Sequence, residues 1–424
     1  MFMTISAIPL VAVAGLYLLL TILFLWGTLR VKSSLPGRNM AKGGEKPSST
    51  CHPPPSASVH PDSTEITTAQ QKRMPQETRD GVAWEPFVSV IVAARDEEDT
   101  IGRCLHSLVR QDYPGERYEV TIVDDRSSDS TAKVVGDFAK GSPNLHLFRV
   151  LSNPQKLSGK QHALNIGIKR SKGDIILITD ADCVVPDTWM RRTVQSFADE
   201  VGLVAGFTLL EGRDMFARIQ TVDLLYLLTI AWGATGMGRP TSLIGNNLAF
   251  RRKAYEDVGG YNGIGFTVTE DLALLEAIRD RSNWKIGFIA DPSHVVTALP
   301  AKTLSEFFQQ RKRWAVGGLK IQAFGLFLLI TAFSLRLLTT LYLFLSPFRA
   351  GLLSFAMLGF LAAAVADILI ASRGITALKR KDLLRYLPFL TPFQFFYQSI
   401  IGISVLFGNR TIQWKGRRYE TDSM

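Results

Sequence analysis

Apolar positions are concentrated in four stretches of the chain, one near the N-terminus and three near the C-terminus. The first, residues 5–27, holds 23 residues without a charge. A helix of that length crosses about 30 Å of hydrocarbon. The other stretches are residues 319–346, 351–372 and 386–407, whereas residues 87–317 mix apolar and polar positions as a water-soluble domain does. The pattern predicts a membrane protein with one soluble domain between an N-terminal anchor and a C-terminal helix cluster.

Six segments follow from this pattern. They are an N-terminal transmembrane anchor (1–30), a Pro-rich linker (31–86), a cytosolic α/β domain (87–303), an interfacial segment (304–318), membrane helices (319–407) and a basic tail (408–424). The linker is rich in Pro, Ser and Thr and has no apolar period, which predicts extended or disordered chain. Cations follow the first apolar stretch and none precedes it, so we expect an uncleaved anchor with the soluble domain in the cytosol.

The C-terminal stretches contain two irregularities. Arg336 lies inside the first of them, and because an arginine at mid-depth is costly we expect it to face protein or a lumen. Pro388 and Pro392 interrupt the start of the last, leaving 15 residues, 393–407. That length favours a re-entrant or interfacial segment and a cytosolic tail.

The soluble domain alternates short apolar runs with helical patterns. Residues 87–94, 118–123 and 174–179 read as buried strands, and helical patterns cover 99–110 and begin again at Ser130. This alternation predicts an α/β domain built on a parallel sheet. In such sheets ligands bind beyond the carboxyl ends of the strands.

Composition narrows the classes of protein that remain. Three cysteines, Cys51, Cys104 and Cys183, do not build a disulfide scaffold, and an apolar fraction of 46% excludes a disordered chain. The net charge of +10 would suit a nucleic-acid binder, but the cations cluster at the borders of the apolar stretches. We therefore expect a membrane partner and no nucleic acid.

Acidic residues follow the predicted strands. Asp124 and Asp125 come after the second strand, and Asp180 and Asp182 after the third. Carboxylates at these positions can bind a ribose, or a Mg²⁺ or Mn²⁺ ion that bridges substrate phosphates. The alternative is that they stabilise turns and cap helices.

Two further clusters lie near the end of the domain. Thr269-Glu270-Asp271 follows a Gly-rich loop and could supply a carboxylate as general base. The alternative is that Thr269 caps a helix whose first turn contains the two acids. The second cluster contains Gln310, Arg313 and Trp314. The cation could stabilise a diphosphate, and the flat ring of Trp314 could stack on a sugar. The alternative is that the cluster anchors the chain at the membrane interface.

Taken together, the order and spacing of these clusters resemble the family-2 membrane glycosyltransferases, which include cellulose, hyaluronan and poly-N-acetylglucosamine synthases and ceramide glucosyltransferase. The resemblance covers residues 87–317 well and the remainder loosely. Three more segments agree with the family pattern: Gly159-Lys160-Gln161-His162-Ala163-Leu164-Asn165, Gly245-Asn246-Asn247-Leu248-Ala249-Phe250-Arg251 and Trp414-Lys415-Gly416-Arg417.

The resemblance implies a GT-A type, Rossmann-like nucleotide-sugar domain at 87–303 with Mg²⁺ or Mn²⁺ as cofactor. It assigns catalysis to Asp271, the base, with Glu270 beside it, and the metal to Asp182 and Asp180. It assigns the nucleotide and donor site to Glu97, Asp124, Asp125, Lys160, Asp180, Gln310, Arg313 and Trp314.

The implied activity is inverting transfer of a sugar from a nucleotide-diphosphate sugar, expected to be a UDP-sugar. Because few membrane helices are predicted, we favour a lipid-like acceptor, such as a ceramide, diacylglycerol, polyprenyl or carotenoid alcohol. The alternatives are a processive polysaccharide synthase and, more remotely, a non-catalytic sugar-nucleotide-binding membrane protein. We expect an integral protein of a bacterial-type inner or plasma membrane.

Overall fold

A computed structural model describes residues 2–31, 84–152, 157–317, 323–349, 351–407, 412–414 and 417–419. The strands are β1 Val88–Ala94, β2 Tyr118–Asp124, β3 Leu145–Arg149, β4 Ile175–Ile178, β5 Val201–Gly206, β6 Thr208–Leu210, β7 Leu248–Arg251, β8 Lys285–Ile289, β9 Val296–Ala298, β10 Ile412–Trp414 and β11 Arg417–Tyr419. Seven of them form one sheet in the order β3-β2-β1-β4-β7-β5-β8, and β6 with β9 and β10 with β11 form two small sheets.

The helices flank this sheet or lie at the two ends of the chain. They are α1 Phe2–Arg30, α2 Ile101–Leu108, α3 Thr131–Ala139, α4 Gly159–Arg170, α5 Trp189–Gln195, α6 Met215–Gly236, α7 Arg252–Asp257, α8 Gly260–Ile264, α9 Glu270–Arg281, α10 Leu304–Gly317, α11 Ala323–Leu345, α12 Gly351–Ala377 and α13 Leu387–Phe407.

Strands β1 to β4 are parallel, so their carboxyl ends meet at one edge of the sheet. Strands β1, β2 and β4 are buried because both of their faces are covered by protein, whereas β3 lies at the edge of the sheet and is partly exposed. Strand β7 runs antiparallel to β4, with Leu248 opposite Ile178. This reversal brings the loop before β7, residues 245–247, to the same edge. The α/β prediction is confirmed.

Among the described residues, four helices are long and apolar enough to cross a membrane, by length and composition: Ile8–Arg30, Met215–Gly236, Ala323–Leu345 and Gly351–Ala377. The second, α6, lies within the segment predicted as the soluble domain. Of its apolar window 67% is buried inside the protein, against 28–39% for the other three. Helix α6 packs against the sheet domain on one side and against α1 and α12 on the other. Its apolar composition therefore reflects burial on both sides.

Close packing joins these helices. A side chain on Gly27 of α1 would collide with the backbone of Gly233 in α6, and one on Gly374 of α12 would meet Thr229 of α6. Small residues at these positions let the helix backbones approach, as they do between helices in membranes.

Arg336 faces protein, as expected. Its side chain is fully buried, and Nη2 lies 3.1 Å from both carboxylate oxygens of Asp367. Nη2 also donates to Gln394 Oε1 at 2.6 Å, and Tyr17 of α1 accepts from the same guanidinium. The cost of burying the charge is thus offset by a carboxylate and by neutral oxygens.

The prediction for the last apolar stretch is wrong in one respect. Helix α13 runs without interruption from Leu387 to Phe407 and contains Pro392. Pro388 is tolerated because the first N–H groups of a helix have no intrahelical partner. Helix α13 is not among the four described helices that meet the membrane criteria. Of the predicted linker and basic tail, all but Val31, 84–86, 412–414 and 417–419 lies outside the described residues.

Candidate active site

Lys160 links two parts of the sheet edge. Ser158 caps α4 in a reciprocal pair with Gln161, which fixes Lys160 in the first turn. Lys160 Nζ lies 2.7 Å from Asp180 Oδ1, beyond β4, and 2.9 Å from Glu270 Oε1, at the start of α9. Burial disfavours the charged amine, but the carboxylates of Asp180 and Glu270 outweigh it and raise the pKa of Lys160. The ammonium is therefore a permanent charge between the two carboxylates.

Asp271 lies beside this ion pair and against the loop before β7. A methyl group on Gly245 would stand 3.0 Å from its Oδ2 atom, and Oδ1 accepts from the Leu272 N–H at 2.8 Å. Desolvation and the charge of Glu270 raise the pKa of Asp271 to about 6, although Lys160 lowers it in part. Its side chain keeps some exposed surface. A carboxylate with this pKa is an effective proton acceptor near neutral pH.

Asp180 and Asp182 form a group with Cys183, their ligand atoms lying within 4.8 Å of one another. Burial, followed by the charges of Asp182 and Asp180, raises the pKa of the Cys183 thiol well above its usual value. The thiol stays protonated and contacts Asp182 Oδ1 at 3.5 Å. The donor set is therefore two carboxylates, which suits a hard cation such as Mg²⁺ or Mn²⁺ better than a soft one.

Asp124 and Asp125 are buried at the end of β2. Asp124 accepts from the Ser127 N–H at 3.1 Å and from Arg149 Nε at 3.3 Å. Asp125 Oδ1 accepts from Arg126 Nε at 3.1 Å. Asp124 thus holds the turn after β2, in line with the alternative role considered from the sequence, whereas Asp125 faces a half-exposed guanidinium.

Glu97 lies in the neighbouring turn after β1. Its carboxylate accepts from the Thr100 hydroxyl at 2.6 Å, and its N–H donates to the Thr131 hydroxyl at 2.8 Å. Burial raises the pKa of the Cys104 thiol, and the charges of Asp180 and Glu97 add to the effect. Glu97 and Asp180 therefore both lie close enough to the Cys104 thiol to raise its pKa.

Thr269 does not cap α9 with its side chain, in contrast to the helix-cap alternative considered from the sequence. Thr269 occupies the capping position, but its hydroxyl makes no capping hydrogen bond and lies 3.5 Å from the Thr267 hydroxyl. The preceding Gly-rich loop is tied to α4 because Gln161 Nε2 donates to the Gly265 carbonyl at 2.6 Å. Gly265 has a φ of 85°, a conformation that favours glycine.

Helix α10 lies against the turn before α9, because a side chain on Gly317 would collide with Thr269. The charge of Arg313 lowers the pKa of Asp271, so the two side chains are within electrostatic reach. Gln310 and Trp314 are half-buried on the same helix. The guanidinium carbon of Arg311 lies 4.3 Å from the centre of the Trp314 ring.

Two family models match the chain. "Glycosyl transferase family 2" matches residues 89–259, and "Glycosyl transferase family group 2" matches residues 175–397, more than half of the sequence. The chain belongs to the family-2 glycosyltransferases. The resemblance stated from the sequence is thereby confirmed.

This glycosyltransferase has similar relatives with different products. It is 33% identical over 236 residues to the beta-monoglucosyldiacylglycerol synthase of Synechocystis sp., covering 55% of this chain and 48% of the relative. It is 27% identical over 240 residues to the poly-beta-1,6-N-acetyl-D-glucosamine synthase of Staphylococcus epidermidis, covering 54% of each. The chain thus spans about half the length of the curated relatives it matches.

A solved structure resembles the glycosyltransferase over nearly its whole length. It is that of the mannosyltransferase PcManGT from Pyrobaculum calidifontis in complex with GDP-Man and Mn2+, with a TM-score of 0.54 and 20% identity over 95% of this chain and 99% of that one. At this identity the likeness shows the fold alone. It supports the predicted GT-A fold.

Sequence reasoning missed two charged residues of the glycosyltransferase. Arg311 is buried on α10, and its Nη2 lies 2.7 Å from Oδ2 of Asp223, which is fully buried on α6. The available signal was an acidic residue within an apolar helical run, because such residues are rare unless they are paired or functional.

Proposed function

We propose that this glycosyltransferase moves a sugar, with inversion at C1, from a nucleotide-diphosphate sugar to a hydroxyl group of a lipid-like acceptor in a membrane. The observation that carries the proposal is the bridge made by Lys160. The Nζ atom of Lys160 lies at hydrogen-bonding distance from Asp180, on the donor side. The same atom lies 2.9 Å from Glu270 Oε1, and Glu270 is the neighbour of the proposed base. Donor and acceptor carboxylates are thus held in one preorganised unit, as transfer between two bound substrates requires.

On the donor side, Asp182 and Asp180 would hold Mg²⁺ or Mn²⁺, and Glu97 and Asp125 would contact the nucleoside. A bound cation would neutralise charge on the leaving diphosphate. The carboxylate donor set of the site is consistent with this, as is the Mn²⁺ in the complex of the mannosyltransferase with the similar fold. The ammonium of Lys160 adds a fixed positive charge beside the same carboxylates.

On the acceptor side, Asp271 accepts the proton of the acceptor hydroxyl. The oxygen attacks C1 of the sugar while the bond from C1 to the diphosphate oxygen breaks, so that the configuration at C1 is inverted. A base with a pKa of about 6 is ionised at neutral pH and retains useful basicity. Arg313 would stabilise the departing diphosphate. Gln310 and Trp314 would border the acceptor.

The helices that surround α6 support a membrane location. Arg373 Nε donates to the Thr28 hydroxyl at 3.0 Å, so the C-terminal ends of α1 and α12 lie on one side. Cations follow both helices, Arg30 on α1 and Lys379 after α12. By the positive-inside rule this side, and with it the sheet domain, would face the cytosol.

A lipid acceptor is favoured over a polymer by the close packing of α1, α6 and α12. A growing polysaccharide would have to separate helices whose backbones touch at Gly27 and Gly233. The glucosyldiacylglycerol synthase relative also acts on a lipid by its name. The poly-N-acetylglucosamine synthase relative keeps a processive synthase as the second candidate.

The test uses the full chain in liposomes with labelled UDP-glucose, UDP-N-acetylglucosamine or GDP-mannose and a bacterial lipid extract. A product with one sugar in the organic phase supports the proposal. Product of high molecular weight supports the synthase instead. If a donor binds but neither product forms with any donor, the protein is a sugar-nucleotide-binding protein, and both enzymatic functions are wrong. The Asp271→Asn variant controls for contaminating activity.

A further inference from the structure

Asp223 lies at a junction of three helices. Its carboxylate on α6 is fully buried, yet it accepts from Arg311 of α10 at 2.7 Å and from Gln394 and Tyr397 of α13, both at 3.0 Å. A buried carboxylate is tolerated only when it is compensated in this way. Asp223 therefore depends on α10 and α13 for its partners, and both helices are oriented by it.

Arg311 is held on two sides. Its Nη2 atom donates to Asp223, and its guanidinium carbon lies 4.3 Å from the centre of the Trp314 ring and 4.7 Å from the centre of the Phe307 ring. A guanidinium that is anchored by an ion pair also limits the positions of a ring with which it makes a cation–π contact.

Trp314 packs against the apolar core that contains Leu274 of α9. A side chain on Gly317, at the end of α10, would collide with Thr269, which directly precedes Glu270 and Asp271. Helix α10 therefore lies against the turn that carries the proposed base.

The polar contacts extend from this point into the apolar helices. Gln394 donates to Asp223 with its nitrogen and accepts from Arg336 of α11 with its oxygen, at 2.6 Å. Arg336 in turn pairs with Asp367 of α12. A continuous series of buried polar groups thus joins α10 to α11, α12 and α13.

Resting on the function above, we propose that Asp223 and Arg311 are positioning residues. They set the orientation of Trp314 and Arg313 at the acceptor side of the active site, and Gln394 connects that orientation to the membrane helices. Packing alone does not require such a pair, because apolar side chains of similar volume often replace a buried ion pair without loss of stability. A buried ion pair does favour one arrangement of the two helices, because a displacement would leave a buried charge without its partner.

The experiment compares Arg311→Gln, Arg311→Lys and Asp223→Asn with the unchanged full chain in liposomes. We expect kcat to fall by about 10- to 100-fold in Arg311→Gln, because small misplacements of positioning groups cost that much. Arg311→Lys keeps the charge but loses the stacked plane, so we expect an intermediate kcat. Affinity for the labelled donor should fall less than kcat in all three, since the donor carboxylates lie on other elements and only the contact of Arg313 with the diphosphate would be disturbed.

The matched control is Arg218→Gln. Arg218 lies on the same helix as Asp223 and pairs with Asp382 at 3.6 Å, in a partly exposed position away from Trp314. We expect its kcat to equal that of the unchanged protein. If the three variants at Arg311 and Asp223 lost kcat only in proportion to a lower melting temperature, the positioning role would be wrong.

A spectroscopic readout separates this proposal from the proposed function. The emission of Trp314 is taken as the difference between each protein and its Trp314→Phe counterpart. We expect this component to shift to longer wavelength in Arg311→Gln and Asp223→Asn, because the ring loses its cover. A shift without any transfer activity would support the positioning and count against the proposed function. Unchanged emission with unchanged kcat in Arg311→Lys and Asp223→Asn would overturn the positioning.

Discussion

Gly245 touches Asp271, and a single methyl group on this glycine would stand 3.0 Å from the Oδ2 atom of the proposed base. The loop that carries Gly245 cannot withdraw easily. The Thr179 hydroxyl donates to the Asn246 carbonyl at 2.9 Å, and the Trp189 indole donates to Asn247 Oδ1 at 2.9 Å. The proposed base therefore packs against a backbone segment that the hydrogen bonds of Asn246 and Asn247 hold in place.

We expect Gly245→Ala to lower kcat by about 10- to 100-fold, because displacing a reacting group by a fraction of an ångström has effects of that order. Donor affinity should stay within experimental error. Steady-state kinetics and equilibrium binding of labelled donor check both expectations. The control is Gly136→Ala on α3, where a methyl group would meet nothing within 4 Å. Full activity in Gly245→Ala would mean that Asp271 does not need its present position.

Asp271→Asn should abolish transfer while donor binding persists. An amide cannot accept the proton of the hydroxyl, and loss of general base catalysis typically costs about 100- to 10,000-fold. Single-turnover assays with labelled donor measure the loss. Asp280→Asn, on the exposed side of the same helix beside Arg279, is the control and should transfer normally. Retention of normal turnover by Asp271→Asn would remove this residue from the mechanism.

The pH dependence of transfer follows from the raised pKa of Asp271. The group is active when deprotonated, so activity is full well above pH 6 and is lost as the pH falls through about 6. Burial is the larger cause of the raised pKa and remains in Glu270→Gln, but the negative charge of Glu270 that adds to it is gone, so we expect the acidic limb to move to lower pH. A profile of kcat/KM from pH 4.5 to 8 tests both statements. An acidic limb at the same pH in both proteins would contradict the assignment.

Asp182→Asn should remove the dependence of donor binding on divalent cation, because it deletes one of the two carboxylates in the group. Titration with Mn²⁺ in the presence of labelled donor measures it. Cys183→Ala is the matched comparison and should retain the titration curve, since a hard cation prefers the carboxylate oxygens to a thiol. If Cys183→Ala lost the cation dependence and Asp182→Asn kept it, the ligand assignment would be reversed.

The sequence predicted the central strands closely. The run 118–123 became β2, Tyr118–Asp124, and the run 87–94 became β1, Val88–Ala94. Strands covered on both faces are continuous apolar runs, which are short and well bounded. The positions of Asp180 and Asp182 at the carboxyl edge followed from the same reasoning.

Contacts between distant segments could not be predicted in this way. Neither the bridge from Lys160 to Glu270 nor the pair of Arg311 with Asp223 leaves a periodic pattern, because each depends on how helices are placed after folding. The sequence placed the residues of α6 in the soluble domain but did not predict that one face of this helix packs against α1 and α12. Periodicity does not distinguish a helix covered by protein from one covered by lipid. Pro392 does not interrupt α13, although a proline inside an apolar run usually marks a break in a helix.

The double coverage of α6 has a practical consequence for any recombinant fragment. A fragment limited to residues 87–303 would keep α6 but lose α1, α12 and α13, so the helix face that they cover would meet water. That fragment would aggregate or require detergent, although it contains every strand of the seven-stranded sheet. The sequence suggests a boundary between the catalytic domain and the membrane region. In the folded protein this boundary passes through a hydrophobic core that the two regions share.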